Sequence, residues 1–289
     1  SVASNTPRPT KAERREAARA KAQALRQEQE KRERRARITR RVLIGAGAVV
    51  VVGGAAGLVT AGLLRKKDED PAAPVETIST DINGTIAEGK ADKQGVPGPV
   101  LSDGSWTCGK DSATDAVNEG AATVDIFFDY ACPHCAEFDT LHADEISTLL
   151  NDGKATLILH PCLIIPNQTW TSKAMNAMGL VLDEDPGKAL AFHNAIFDEF
   201  ASMVRAQDAS RQTVDTLVSA AEKAGVSSDV SGRFKETSDG KKYDTWTDLG
   251  TKAFNDQGLK GTPTVMVRGQ TVELSKLSAA DSLTRLIGG

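Results

Sequence analysis

The sequence is poor in the residues and motifs that several classes of protein require. It holds only four cysteines and four histidines among 289 residues, and residues 99–289 contain no internal repeat. No nucleophile-elbow motif is present to support Ser/His/Asp hydrolase chemistry. The formal net charge is −4, and no domain that reads nucleic acid accompanies the basic N-terminal segment. Hydrolysis by a catalytic triad and nucleic-acid binding are therefore disfavoured.

Residues 1–41 have almost no side chains that form a hydrophobic core, with Leu25 and Ile38 as exceptions. Arg, Lys, Glu, Gln and Ala dominate, so the segment cannot bury enough apolar surface to fold alone. Good helix formers with alternating charge predict a solvated, fluctuating helix, and the basic residues next to the following segment leave open an arm that lies on anionic lipid.

Residues 42–64 carry no charge at all. At about 1.5 Å per residue they span a hydrocarbon core of roughly 30 Å, which predicts a transmembrane helix. Six arginines lie between residues 32 and 41, whereas only three basic residues follow the span before "DED". The positive-inside bias predicts a cytoplasmic N-terminus and an extracellular remainder, joined by a single pass through the cell membrane. A cleaved signal peptide fits less well, because the apolar run is too long and no A-x-A-like site precedes "RKKDED".

Residues 65–98 are rich in Pro, Ala, Gly and acidic side chains, as in "DEDPAAPVE" and "KQGVPGPV". Such a composition is typical of an extended linker and not of a packed core. The folded unit is therefore predicted to comprise residues 99–289.

The pattern of this unit predicts an α/β domain. "ATVDIFFDY" and "ATLILHPCLII" are typical of buried strands, and the helix that Pro133 begins between them predicts a βαβ unit with parallel strands. Helical patterns fill an insertion at about residues 166–256, "GTPTVMVRGQTVEL" indicates a hairpin, and "AADSLTRLIGG" indicates a final helix. We expect a small mixed sheet with a helical lobe.

Cys132 and Cys135 form the motif Cys-Pro-His-Cys between the first strand and its helix. Cys132 is expected at the helix N-terminus, exposed, where free N–H groups and the helix dipole favour a thiolate. Cys135 lies one turn further, faces inward and resolves the mixed disulfide. His134 adds a donor that is cationic when protonated. A stabilised thiolate favours the reduced form and makes the disulfide a stronger oxidant, which suits an extracellular site that gives disulfides to secreted proteins.

The stretch "FFDYACPHCAEF", with "GTPT" far downstream and a helical insertion between them, resembles the DsbA-like branch of the thioredoxin superfamily. The whole is similar to the membrane-anchored DsbA-like disulfide oxidoreductases of actinobacteria. The resemblance implies a thioredoxin-like fold over residues 99–289, a catalytic Cys132-Pro133-His134-Cys135 motif and no cofactor. It also implies a cis-proline at Pro263 beside the cysteines, with Thr262 presenting its backbone to a bound peptide.

The same resemblance implies the partners of the enzyme. These are reduced or unfolded secreted proteins as substrates, and a membrane reoxidase of the DsbB or vitamin K epoxide reductase type.

The sequence departs from this family at two positions. Many members carry a buried acid six residues before the nucleophile, but Ile126 occupies that position here, and Asp125 is expected on the other face of the strand. Proton transfer is then expected to use water or a different acid. Thr262 replaces the valine of several DsbA proteins and is shared with isomerase relatives. An isomerase or reductase of the same fold therefore remains open.

Cys108 and Cys162 lie outside the motif. An even cysteine count in an extracellular domain favours a structural disulfide between them, with free thiols or a redox role as alternatives. A non-catalytic structural or metal-binding module is the remaining alternative. Zinc is disfavoured, because Cys108 and Cys162 are single residues and structural zinc sites usually carry paired cysteines. No metal is therefore predicted.

Several other side chains have less distinctive patterns. We expect His160 at a strand end near solvent, and His142 and His193 at the surface or partly packed on helices. Trp170, Met175 and Met178 follow helical spacing, which favours core positions, with a peptide-binding groove as the alternative.

Overall fold

The computed structural model describes residues 84–166 and 168–288. The predicted cytoplasmic segment 1–41, the predicted transmembrane helix 42–64 and residues 65–83 of the predicted linker lie outside the described residues. Within the described ranges, no helix combines the length and the apolar character needed to cross a membrane.

Five strands form one mixed sheet in the order β1-β3-β2-β4-β5. Strands β2 and β3 are parallel, and the other neighbouring pairs are antiparallel. The strand bounds are β1 Trp106–Cys108, β2 Ala122–Phe128, β3 Ala155–Pro161, β4 Thr264–Val267 and β5 Gln270–Val272.

Eight α-helices accompany the sheet in the part of the chain that the structure describes. One connects β2 to β3, six form the insertion between β3 and β4, and the last follows β5. Their bounds are α1 Pro133–Asn151, α2 Thr169–Glu184, α3 Ala189–Ala206, α4 Val214–Ala224, α5 Ser228–Ser231, α6 Phe234–Asp239, α7 Asp244–Asp256 and α8 Ser282–Gly288.

The central strands β2 and β3 are buried along their whole length. Their runs of Val, Ile, Leu and Phe suit a strand covered on both faces, and their parallel register requires the crossover helix α1. The predicted βαβ unit is thus confirmed. It brings the C-terminal end of β2 and the N-terminal end of α1 together at one edge of the sheet, where the active-site motif begins.

The predicted hairpin is also confirmed. Only Arg268 and Gly269 separate β4 from β5, and both adopt positive φ values of 55° and 71°. Two consecutive left-handed residues form the tight turn that matches the twist of paired strands. The turn fixes the register of β4, which follows Pro263 directly.

The helical insertion packs as a lobe against the sheet. Trp170, Met175 and Met178 on α2 have no exposed surface, which confirms their predicted place in the core. Gly179 on the same helix allows close packing, since a Cβ atom there would lie 2.4 Å from the ring of Tyr243. The lobe therefore has a close-packed interior of its own that continues the core of the sheet.

The structure adds a strand at the start of the folded unit and corrects the predicted end of the linker. Strand β1 was not predicted, because three residues are too few to show a period. Residues 89–98 were predicted as linker but pack against the domain: Lys90 bridges to Leu101, and the Gly95 carbonyl accepts a hydrogen bond from the Trp246 backbone. The folded unit therefore begins before residue 99.

Candidate active site

The two cysteines of the motif lie where β2 passes into α1. Cys132 is the N-cap of the helix and Pro133 occupies its first turn, where the missing N–H of proline costs no hydrogen bond. The backbone N–H of Cys135 donates to the Cys132 sulfur at 3.3 Å. The sulfur of Cys132 thus takes the position of a helix-capping oxygen, and it receives one of the donors that a helix start leaves unpaired.

Thr262 and Pro263, in the loop directly before β4, complete this site. The peptide bond between them is cis, as the family resemblance implies. The Cys132 thiol donates to the Thr262 carbonyl oxygen at 3.2 Å. The predicted approach of Thr262 and Pro263 to the cysteines is therefore confirmed.

The two thiols differ sharply in acidity. The pKa of Cys132 is lowered to about 6, mainly because Cys135 hydrogen-bonds its sulfur and the helix-start backbone N–H groups add to this, although burial opposes the change. A hydrogen bond with the Thr262 side chain also lowers this pKa, whereas the Thr262 carbonyl oxygen is an acceptor and favours the thiol. Burial raises the pKa of Cys135 well above its ordinary value. At neutral pH the reduced pair therefore holds one thiolate, on Cys132, and one thiol, on Cys135.

Cys132 was predicted to be exposed and Cys135 to face inward, but the two side chains are about equally buried. Cys132 is 5% exposed and Cys135 is 2% exposed, so both are buried in this reduced state. Cys132 was expected to be exposed, but the loop that carries Thr262 lies against its sulfur. A substrate thiolate must therefore approach along the edge between this loop and the helix start.

The side chain of His134 is exposed and contacts Glu137. It is 60% exposed, and its Nδ1 atom lies 3.2 Å from Oε2 of Glu137 on the next turn. Its backbone N–H, in contrast, contributes to the lowered pKa of Cys132. In this structure His134 therefore acts on the sulfur through its main chain, and the imidazole lies on the rim of a neighbouring groove.

The predicted disulfide between Cys108 and Cys162 is wrong. All four cysteines are free thiols, and the pairing of β1 with β3 places Cys108 opposite Leu157, five residues before Cys162. At about 3.3 Å per residue the separation along the strand is roughly 16 Å. A disulfide needs Cα atoms within about 7 Å of each other. Burial raises the pKa of both thiols, so each behaves as a small apolar side chain.

Asp129 is a structural residue of the site that the sequence did not single out. Its side chain is fully buried and accepts hydrogen bonds from the backbone N–H groups of Ala131, Ile164 and Ile165 at 2.9 to 3.0 Å, and from the Thr171 hydroxyl. One carboxylate thus fixes three segments: the residues directly before Cys132, the loop after β3 and the start of α2. The only sequence signal was a charged residue directly after an apolar strand.

Strand β2 places Ile126 and Asp125 on opposite faces, as the sequence predicts. Ile126 lies beside Cys135 at a small cavity, and Asp125 points to the opposite face, where Oδ1 lies 3.0 Å from Nε2 of His160. His160 is buried, contrary to the expectation of a solvent position. Asp125 therefore pairs with His160 and does not reach the active site.

An apolar groove opens beside the active site. It has a volume of about 210 Å³ and is bordered by His134 and Pro263 of the site. Leu141 and Leu274 in its wall are 38% and 49% exposed, so this wall presents apolar surface to the solvent. In the described ranges, no group of three or more His, Cys, Asp or Glu side chains is arranged to hold a metal ion.

Comparison with known proteins identifies the class of this fold and site. A family model described as thioredoxin matches residues 117–287, so the chain belongs to the thioredoxin family. The resemblance to DsbA-like enzymes is confirmed, and the protein is a thiol:disulfide oxidoreductase.

Two solved structures are similar to this chain, one in sequence and fold and the other in fold. MdbA from Actinomyces oris, a thiol-disulfide oxidoreductase, is 48% identical with a TM-score of 0.67, over 72% of this chain and 98% of that one. BdbD from Bacillus subtilis, in its oxidised form, is 20% identical with a TM-score of 0.53, over 68% of this chain and 97% of that one, which supports the fold alone. No curated protein sequence matches the chain significantly.

Proposed function

We propose that the protein introduces disulfide bonds into secreted proteins outside the cell membrane, with Cys132 and Cys135 as its redox pair. The observation that carries this proposal is the asymmetry of the pair: Cys132 has a pKa near 6, while burial keeps Cys135 a thiol. A thiolate that is stable in the reduced enzyme makes reduction of the enzyme favourable, and hence makes its disulfide an oxidant.

The catalytic cycle conserves electrons between enzyme and substrate. A substrate thiolate attacks Cys132 of the enzyme disulfide, forms a mixed disulfide with it, and releases Cys135 with the electron pair of the broken bond. A second substrate thiolate then attacks the first substrate sulfur and releases the Cys132 thiolate. The substrate loses two electrons and gains a disulfide, and the enzyme gains the two electrons as a dithiol.

The groove beside Pro263 supports a role for Thr262 and Pro263 in holding the substrate. A peptide that lies across these two residues places its cysteine against Cys132, whose sulfur already lies 3.2 Å from the Thr262 carbonyl. The apolar walls of the groove suit the apolar side chains that an unfolded protein exposes. Recognition is then apolar and tolerant of sequence, as an enzyme with many substrates requires.

Membrane attachment and reoxidation complete the proposal. The uncharged run 42–64 with arginines on its N-terminal side supports a single-pass anchor with an extracellular catalytic domain. Such an anchor keeps the reduced enzyme close to a membrane reoxidase of the DsbB or vitamin K epoxide reductase type, which would accept its two electrons. Protease treatment of intact cells tests this arrangement: the catalytic domain should be digested while a tag at the N-terminus is protected.

Oxidative refolding tests the redox role itself. A reduced, unfolded protein with two cysteines is mixed with the oxidised enzyme, and disulfide formation is followed by mass after thiol alkylation. We expect one substrate disulfide per enzyme disulfide, none with Cys132→Ala, and normal transfer with Cys108→Ala as a matched thiol deletion. Transfer by Cys132→Ala at the rate of the unchanged enzyme would contradict the proposal.

A further inference from the structure

Three polar side chains are buried beneath the active site on the side of Cys135. Nδ1 of His193 lies 3.0 Å from the hydroxyl of Tyr130, and Nε2 of the same ring lies 3.5 Å from Oδ1 of Asp139. All three residues are at most 8% exposed. His193 was expected at the surface or partly packed, but it lies among Trp106, Phe128 and Phe197. Buried polar groups of this kind are costly and often functional.

Asp139 lies one helical turn from the buried cysteine. It is four residues after Cys135 on α1, so the two side chains lie on the same face, one turn apart. Both side chains line an enclosed cavity of about 10 Å³, together with His193 and Pro263. A cavity of this size holds about one water molecule. A proton therefore has a short route between the carboxyl group and the Cys135 sulfur.

The protonation states of this cluster suit proton transfer at neutral pH. Burial, and secondarily the charge of Asp198, raises the pKa of Asp139 to about 8. Burial lowers the pKa of His193 to about 3, and burial together with Asp139 raises that of Tyr130 well above its ordinary value. Asp139 and His193 therefore meet as a neutral acid and a neutral imidazole, and not as an ion pair. Of these three groups, Asp139 is the one whose pKa lies within about one unit of neutral pH.

The redox chemistry creates a specific need for such a group. When the enzyme disulfide is opened, Cys135 leaves as a thiolate in a site where burial strongly disfavours its charge. When the enzyme is reoxidised, the same thiol must lose its proton before it can attack. The strand behind Cys135 places the apolar Ile126 at this cavity, so the proton must come from another element.

We propose that Asp139 is the proton donor and acceptor of Cys135, and that His193 is its positioning residue, held in place by Tyr130. The proposal rests on the function proposed above, in which Cys132 and Cys135 are the redox pair.

The proposed step balances in both directions. As the substrate thiolate forms its bond to Cys132, the disulfide breaks, and the Asp139 carboxyl proton moves to the Cys135 sulfur, directly or through one water. The products are the mixed disulfide, the Cys135 thiol and the Asp139 carboxylate, which regains a proton from solvent. In reoxidation the Asp139 carboxylate removes the Cys135 proton, and the Cys135 sulfur attacks the Cys132 sulfur of the mixed disulfide that Cys132 forms with the oxidant. The Cys132–Cys135 bond forms, and the oxidant's sulfur leaves as a thiolate with the electron pair of the broken bond.

The test is the pH dependence of the two half-reactions in the full chain. Oxidation of the reduced enzyme by oxidised glutathione, and reduction of the oxidised enzyme by dithiothreitol, are followed from acidic to alkaline pH. We expect the oxidation rate to rise with Asp139 ionisation, with a midpoint near pH 8. Asp139→Asn should lose this rise and slow oxidation by about 100-fold at the plateau, the usual scale of general acid–base catalysis.

Three variants distinguish proton transfer from a structural effect. Asp198→Asn removes an exposed charge that raises the Asp139 pKa, so it should move the midpoint to lower pH without lowering the plateau. His193→Gln keeps a polar side chain but alters the Asp139 contact, and should also move the midpoint. Asp144→Asn, an exposed aspartate on the same helix, is the matched control and should change nothing.

The outcomes separate this proposal from the function on which it depends. Unchanged rates and an unchanged pH profile in both Asp139→Asn and Asp198→Asn would overturn the role of Asp139, while exchange through Cys132 continues. If the redox pair itself is wrong, the unchanged enzyme would show no exchange that depends on Cys132. The Cys132 pKa near 6, read from thiolate absorbance, should survive in Asp139→Asn and shows that the site is folded.

Discussion

The sulfur of Cys132 lies 3.2 Å from the carbonyl oxygen of Thr262, although 130 residues separate the two in the chain. The contact joins the start of α1 to the loop before β4, and it exists because β4 pairs directly with β2 in the sheet. The helical insertion lies between these two halves in sequence but not in the sheet. The active site is therefore assembled by sheet pairing, and the insertion adds His193 and Phe197 to the small cavity beside Cys135.

The acidity of Cys132 gives the first prediction. Thiolate absorbance of the reduced protein should rise with a midpoint near pH 6, so Cys132 is a thiol below this pH and a thiolate above it. Cys135→Ala should move the midpoint upward, because the Cys135 side chain provides the largest lowering effect. Cys108→Ala is the control and should leave the midpoint unchanged. A midpoint near the ordinary cysteine value in the unchanged protein would refute the assignment.

The same acidity predicts how stability depends on pH. The folded pKa of Cys132 lies below that of an unfolded cysteine, so its contribution is complete above the unfolded value and is lost as the pH falls through about 6. Urea denaturation of the reduced protein, compared with Cys132→Ser, should show a stability difference that shrinks from pH 9 to pH 6. A constant difference across this range would be inconsistent with a thiolate in the folded state.

Asp129 is predicted to be essential for stability and not for chemistry. Asp129→Ala leaves three backbone N–H groups without their acceptor, and we expect the unfolding free energy to fall by about 3 kcal/mol. Asp129→Asn keeps one acceptor oxygen and should lose less. Chemical denaturation measures both changes. Equal stability of Asp129→Ala and the unchanged protein would show that these hydrogen bonds are not needed.

The apolar groove is predicted to bind unfolded substrates. Leu141→Glu and Leu274→Glu place charge in an apolar wall that is already exposed, so stability should hold while KM for a reduced protein substrate rises about tenfold. Oxidation of the small thiol glutathione should be unaffected, since it does not need the groove. Val204→Glu, at an exposed apolar residue of the helical lobe, is the matched control. An equal effect of all three variants would exclude a specific groove.

The sequence predicted those features that are encoded by short local patterns. The strand-helix-strand unit, the hairpin at Arg268 and Gly269, and the cysteines at a helix start all depend on neighbouring residues. The approach of Thr262 and Pro263 came from the family resemblance, since no local pattern reports a contact over 130 residues.

The errors also have physical reasons. The Cys108–Cys162 disulfide was inferred from cysteine count, and count carries no information about register in the sheet. His193 and Asp139 were missed because both lie on helices whose pattern reports only which face is buried. A buried polar pair on such a face becomes visible only when two helices are packed together.

The redox equilibrium with glutathione tests the central claim most directly. The reduced and oxidised fractions of Cys132 and Cys135 are measured by alkylation in mixtures of reduced and oxidised glutathione. A stabilised Cys132 thiolate predicts a potential less negative than about −200 mV, on the side of oxidising enzymes. A potential near that of thioredoxin, about −270 mV, would contradict the proposed oxidase and point to a reductase.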